Sequence, residues 1–514
     1  MTCKYGARLA KWLAIPTSLL LSAACSSAPE GVSSSGTGSA SASGNSAGSP
    51  GSGASGSATG SGNGNSGTSG AAAGASGSGS TSGSTSGGSG AGAASGSGMS
   101  DAGPLDSGAF VCPPLPAPGN CAPPVDIRCP YPNLKDTGCI DPNPFRDPKI
   151  PITMASTVVP YEVNSPLWSD GAFKTRGMRL PNGGKIHVKD CTANPMSCCV
   201  VNPNTFKGCL PPADDGKWEF PVGTVMVKNF MFPDASQPSG YKIVETRLFI
   251  HLDHKVQVSG TDTNWVGYGY QWDDAQTNAT IIGGLADGSD IDIRAMFNVT
   301  PTKGAAPQAI NWIYPSRLDC ITCHTAITPS GGGTLGPETM QMNRIVTGDT
   351  MNQIDKLAAL GMFETPPAKP YHAALVAPYP GQAGAPPPGA TLDQRARSYL
   401  HANCSFCHRP DGVWNGFDVR YDVPFASTQV WSTTTCNAKP GKGDQGVFGA
   451  LIVTPQNPKM SVMWLRMTAP AGNAMTGKTG RMPLIASYVV DTQATDLISK
   501  WINSIPITAC PPGP

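Results

Sequence analysis

The sequence predicts an α+β multidomain protein in which a β-rich region precedes a helical one, and three observations carry this. Residues 26 to 108 are almost wholly Gly, Ser, Ala and Thr, with no apolar periodicity able to bury a core. Between 151 and 313, short apolar or alternating runs such as Trp218 to Lys228, Tyr241 to Leu252 and Trp265 to Trp272 are set off by Gly, Asp, Asn and Pro clusters, the pattern of strands and turns. Beyond 313, helical spacing takes over in Asn352 to Leu360, Leu392 to Leu400 and Asp491 to Ile505. The folded part is therefore much smaller than the 514 residues of the chain.

Residues 1 to 25 carry Lys4, Arg8 and Lys11, an apolar stretch from Trp12 to Leu21, and Ser22-Ala23-Ala24-Cys25. This is an export signal, too short to span a bilayer stably. The small residues before Cys25 suit either the ordinary or the lipoprotein signal peptidase. The lipoprotein reading is favoured, although Ser22 stands where lipoproteins prefer Leu. Cys25 would then be the lipidated N-terminus and an anchor, not a span. The segment 26–108 reads as a flexible tether of roughly 80 residues, with a reach of about 50 Å. Net charge is +1 with 13% charged residues, which sets aside nucleic acid and an electrostatically bound membrane surface.

Residues 109 to 150 form a Pro- and Cys-rich lead-in whose prolines forbid regular helix. A β-rich domain, sandwich or jelly-roll-like, is expected over 151–313. A segment over 314–388 follows, with a helix ending at Gly361 and a Pro-rich connection from Thr365 to Pro388. The last domain is 389–514, where Ala494, Leu497, Ile498, Trp501 and Ile502 fall on one helical face. Among the 16 cysteines, ten lie outside the export signal and two short motifs: Cys112, Cys121, Cys129, Cys139, Cys191, Cys198, Cys199, Cys209, Cys436 and Cys510. In an oxidising compartment their default is disulfides. A zinc site is disfavoured because they lack a paired C-x-x-C knuckle.

The two motifs are Cys320-Ile321-Thr322-Cys323-His324 and Cys404-Ser405-Phe406-Cys407-His408. Two thiols about one turn apart can add to the two vinyl groups of a haem, and the following histidine reaches the iron. With 16 Cys and 7 His in the chain, chance gives about 0.007 such motifs, so two covalently bound c-type haems are expected, with His324 and His408 as axial ligands. A thioredoxin-type site would want a βαβ setting and no following His. Opposite His408, Met482 in Arg481-Met482-Pro483 is the expected ligand, with Met463, Met467 and Met475 as rivals. Opposite His324 the position stays open between Met340, Met342, Met351 or Met362, the histidines His187, His251, His254 or His372, and no protein ligand at all. His251 and His254 are not expected to share one metal, since strand residues three apart face opposite ways. Arg317, Arg409 and Arg481 flank the motifs and could pair with haem propionates.

The helix from Leu392, Cys404-Ser405-Phe406-Cys407-His408-Arg409-Pro410, Arg481-Met482-Pro483 and the closing helix with Trp501 resemble a class I cytochrome c domain over about 390–510. The resemblance implies a first and last helix packed together, Leu392 to Leu400 against Leu497 to Ile502. The first motif departs from it, because Trp312 to Arg317 reads as strand and turn. Phe220 to Val225, Glu245 to Leu248, Pro315-Ser316-Arg317 and Leu335-Gly336 resemble an uncharacterised family of secreted bacterial dihaem proteins over about 155–505. The fold class thus reads as a β-rich domain followed by a helical c-type cytochrome region with two haems. The function it implies is single-electron transfer between redox partner proteins. The expected location is the periplasm or cell surface, as an outer-membrane lipoprotein of a Gram-negative bacterium. The alternatives are a dihaem oxidoreductase, peroxidase-like or dehydrogenase-associated, with catalysis at an open first haem, and a binding module whose β domain grips a glycan or a partner.

Overall fold

Strand β5 (Val225–Pro233) is apolar at almost every position because it is covered on both faces, as a central strand must be. It lies between β2 (Phe173–Arg179) and β6 (Tyr241–Val258), and β1 (Val159–Pro160), β7 (Thr261–Trp272) and β8 (Ala279–Ile282) complete a six-stranded antiparallel sheet in the order β1-β2-β5-β6-β7-β8. Two further pairs, β3 (His187–Val188) with β4 (Trp218–Glu219) and β9 (Ile293–Val299) with β10 (Gln308–Tyr314), are also antiparallel. The structure is a computed structural model and describes residues 114–510 apart from 118, 124–130, 146–151, 191–215, 259–260, 283–292, 300–307, 325–332, 347–348, 410–411, 413–416, 424–434, 471–479 and 485–486. The expectations for the export signal, Cys25, the tether, Cys112, Cys129, Cys191, Cys198, Cys199, Cys209 and Met475 lie outside the described residues.

The sheet has two different faces. Val225, Val227, Leu248, Ile250, Val266 and Tyr268 bury one of them against Leu134, Cys121 and Cys139 of the lead-in. The described part of that lead-in forms a single 3-10 turn, Leu134–Thr137, and is tied by the Cys121–Cys139 disulfide. The other face alternates with the first, as the pleat requires, and is built in rungs. Met178, Met226, Phe249 and Gly267 stand opposite one another, and so do Arg176, Lys228, Arg247 and Gly269. Farther along, Phe230 and Phe232 meet Trp312 and Tyr314 of β10, and the Trp312 indole donates to Glu245 at 3.0 Å.

Among the described residues, six α-helices follow the strands. Helix α1 (Arg317–His324) starts directly after β10, where Ser316 and Asp319 bond each other's backbone N–H groups at 3.0 and 3.2 Å, the reciprocal arrangement of a capping box. After α2 (Thr339–Met342) comes α3 (Gln353–Ala359), capped by the Asn352 side chain. It closes at Gly361, whose φ of 69° is the left-handed conformation that glycine adopts without steric cost. Helix α4 (Leu392–Cys404) opens with a full capping box between Thr391 and Gln394. Short α5 (Val462–Thr468) and α6 (Thr492–Ser504), capped by Asp491, complete the set.

Ala396, Tyr399 and Leu400 of α4 pack on Leu497, Ile498, Trp501 and Ile502 of α6, which is the helix meeting expected from the sequence. Each fully buried Leu or Ile in such a seam contributes about 1.5–3 kcal/mol. The Trp501 indole adds a 2.8 Å hydrogen bond to Asp393. A Cys436–Cys510 disulfide ties the segment after α4 to the end of the chain.

Candidate functional site

Helix α1 presents the first motif to the sheet. Gly267 faces Cys320 so closely that a Cβ there would lie 2.6 Å from its Sγ, so only glycine lets the helix seat. His324 packs beside Phe249 with ring centroids 4.3 Å apart, and its Nδ1 lies 2.6 Å from the Gly333 carbonyl. A carbonyl only accepts, so Nδ1 carries the proton and donates it. Burial, reinforced by the nearby Lys228 and Arg247 cations, pushes the His324 pKa down to about 4 against the Gly333 bond. At neutral pH this ring is therefore uncharged, with the Nε2 lone pair free.

The second motif sits at the C-terminus of α4. Cys404 is the last helical residue, and the Cys407 and His408 backbone N–H groups donate to its carbonyl at 3.1 and 2.9 Å, which folds the motif into a tight turn. The His408 ring stacks on Phe417 at 4.2 Å. Burial pushes the Cys320 and Cys404 thiols up to about 12, and Cys323 is raised by its hydrogen bond to Cys407 and then by burial. Thiols held protonated in this way are the opposite of a thioredoxin-type pair, which needs a depressed pKa.

Cys323 and Cys407 lie close enough for Cys407 to raise the Cys323 pKa, so the two motifs meet. Both open into one cavity, which also receives Met482 and Pro483 and is walled by the Met226, Arg176, Lys228 and Arg247 face of the sheet. Its space, the solvent-open mouth included, is about 1740 Å³. All four motif cysteines are free thiols.

A buried ion pair fixes α4 against the sheet side of the molecule. Glu338 meets Lys217 and, at 2.6 Å, His401 Nε2. His401 Nδ1 accepts from the Tyr421 backbone N–H at 3.0 Å, so the ring proton is on Nε2 and points at the carboxylate. Lys217 and His401 together hold Glu338 far below the usual carboxylate range despite its burial. His401 lies one turn before Cys404, so the pair positions the second motif.

Of the methionines weighed opposite His408, Met482 lines the cavity, whereas Met463 and Met467 pack in the α4–α6 core. None of the eight side chains weighed opposite His324 lines it. Met342 and Met362 are core residues, Met340 is buried, Met351 is exposed, and Met342 sulfur accepts from Gln353. His251 stacks on Trp265 and bonds the Phe220 carbonyl, while His187 and His254 face Glu364 and Asp253 and His372 is exposed. Among the described residues no group of three or more His, Cys, Asp or Glu could hold a metal ion by itself. Of the arginines, Arg481 is committed to the carbonyls of Ala469, Ser487 and Tyr488. Sequence reasoning missed Met226, Arg176, Lys228 and Arg247. One signal was present: Lys228 is a lone cation inside the apolar run of β5. No protein family, curated protein or solved structure matches this chain.

Proposed function

We propose that the chain is an exported dihaem c-type cytochrome that transfers single electrons between redox partner proteins of the periplasm or cell surface. The observation carrying this reading is that the cysteines and histidines of both C-x-x-C-H motifs line one cavity, with Cys323 beside Cys407. Four motif cysteines outside any disulfide, in two pairs, and a neutral His324 with a free Nε2 fit two covalently held haems. Cys320, Cys323 and His324 would hold one, and Cys404, Cys407, His408 and Met482 the other. A haem so held supplies one-electron exchange at its iron, at a potential raised where a thioether stands opposite the imidazole.

The chain's own residues do the rest. Gly333 fixes the tautomer and aim of His324, Phe417 braces His408, and Val163, Leu167, Phe249, Phe406 and Leu484 line the cavity with apolar surface that excludes water. The adjacency of Cys323 and Cys407 makes the pair one conduit in this reading, not two separate centres. Residues 389–514 would then be the class I cytochrome c domain. Lipidated Cys25 would anchor the protein to the outer membrane, with 26–108 as the tether.

A dihaem oxidoreductase is the second reading, and it has one observation in its favour: among the described residues, no histidine other than the two motif histidines lines the cavity. Carbon monoxide titration separates the two, using protein whose covalent haem has been counted by pyridine haemochrome. Two haems, no carbon monoxide binding in the wild type and one opened haem in Met482→Ala support the carrier and the Met482 ligand. One equivalent bound by the wild type gives the lead to the oxidoreductase, and fewer than two haems refutes the dihaem reading.

A further inference from the structure

Directly opposed residues of neighbouring strands share a face of the sheet, and like charges placed there cost stability. The register sets Arg176 opposite Lys228 and Lys228 opposite Arg247, so three cations form one row across β2, β5 and β6, and all three line the cavity. Arg247 is neutralised by Glu245, with Nε and Nη2 donating at 2.6 and 2.8 Å. The carboxylate of Glu162, next to β2, is taken by Arg344 at 3.0 Å. Among the described residues, no carboxylate stands within ion-pair distance of Arg176 or Lys228. The Lys228 ammonium lies over the Phe230 ring, 5.1 Å from its centroid, with Glu245 acting on it from beyond ion-pair distance.

These side chains are half-buried along the cavity, so their charge is only partly hydrated. Burial first, then Arg176 and Arg247, drive the Lys228 pKa well below the usual lysine value. The row ends at Gly269, opposite Arg247 and beside the Glu245 carboxylate. Two partly hydrated cations side by side in a wall are tolerable when an anion offsets them.

The geometry points to Arg176 and Lys228 as a carboxylate-binding row for a ligand seated in the cavity. The guanidinium offers a planar fork and the ammonium a point charge, a combination that suits a carboxylate received from one side. Two sources supply that chemistry. One is a haem propionate, and this arm rests on the function proposed above. The other is a free small carboxylate, which does not.

The test uses the full-length holoprotein as wild type, Arg176→Gln, Lys228→Gln, the charge-preserving Arg176→Lys and Lys228→Arg, and Lys242→Gln as a surface control. Covalent haem is counted, midpoint potentials are measured spectroelectrochemically, and succinate is titrated by calorimetry. If a propionate is held, the Gln variants shift one haem to a more negative potential, because a nearby cation favours the added electron. Lys228→Arg then stays near the wild type, Lys242→Gln does not move, and succinate does not bind. If a free carboxylate is held, the wild type binds succinate saturably and each Gln variant weakens it on the order of tenfold or more. Unmoved potentials together with no succinate binding overturn the row, as does an equal shift in Lys242→Gln. If no covalent haem is found, the haem reading fails by itself, and the succinate titration alone decides the row. Should a Gln variant not fold, Arg176→Lys replaces the fork by a point charge and shifts the same quantity in the same sense by less. An unmoved Arg176→Lys together with no succinate binding by the wild type then overturns the row.

Discussion

Removing the Glu338 carboxylate tests how α4 is held in place. The side chain of Glu338 is 3% exposed and that of His401 5%, with Lys217 at 25%. Glu338→Ala leaves the His401 Nε2–H and the Lys217 ammonium without their acceptor in a buried setting, and breaking such a pair from one side costs about 3–5 kcal/mol. With a urea slope of about 3 kcal/mol/M, the unfolding midpoint falls by about 1–2 M. The measurement is equilibrium urea unfolding followed by tryptophan fluorescence at several pH values. Because the folded pKa of Glu338 lies below its ordinary value of 4.5, its stabilisation is complete above about pH 4.5. It is lost as pH falls from there toward the folded value, so the gap between wild type and variant narrows in acid. A variant with the wild-type midpoint at pH 7, or a gap that does not narrow in acid, refutes the reasoning.

Three further outcomes follow from other parts of the structure. Gly267→Ala sets a Cβ 2.6 Å from the Cys320 Sγ and 3.2 Å from its Cβ, an overpacking of about 1–3 kcal/mol. If the first motif holds a haem as proposed, intact-protein mass should show the variant lighter by one haem, and wild-type mass at wild-type thermal stability would contradict this. Replacing Cys436 and Cys510 together by Ser removes a link across 74 residues, worth about 4 kcal/mol by loop-closure entropy. An unchanged denaturant midpoint under oxidising conditions would show that the link contributes nothing. Asp170 has no exposed surface, and burial raises its pKa from 3.8 to about 6 despite bonds from Val489 and Tyr488. The raised value means ionisation opposes folding, with a penalty that grows between pH 3.8 and 6 and is constant above. Asp170→Asn should therefore gain about 1–3 kcal/mol at pH 8 and almost nothing at pH 3.5 in matched urea titrations, and equal effects at both pH values would sink the argument.

What the sequence determined by itself is what short-range chemistry specifies. The two C-x-x-C-H motifs, the Thr391–Gln394 cap, the Gly361 stop and the apolar stripe from Ala494 to Ile502 depend on residues within a turn or two of one another, so spacing alone reveals them. The β-rich character of Trp218 to Trp272 was equally legible, because alternation and turn residues are local. Tertiary structure decided the rest. Strand order, and the register that lines up Arg176, Lys228 and Arg247, depend on pairings between distant segments that no local period encodes. The convergence of both motifs and Met482 on one cavity is likewise set by how α1, α4 and the loop before α6 dock on the sheet face. The side chains weighed opposite His324 were judged by residue type and nearness in sequence, while the fold turned them into the core or outward and brought Met226 to the wall from a strand nearly a hundred residues earlier. A side chain's type is written in the sequence, but the face it occupies depends on the pleat, register and packing of the whole sheet.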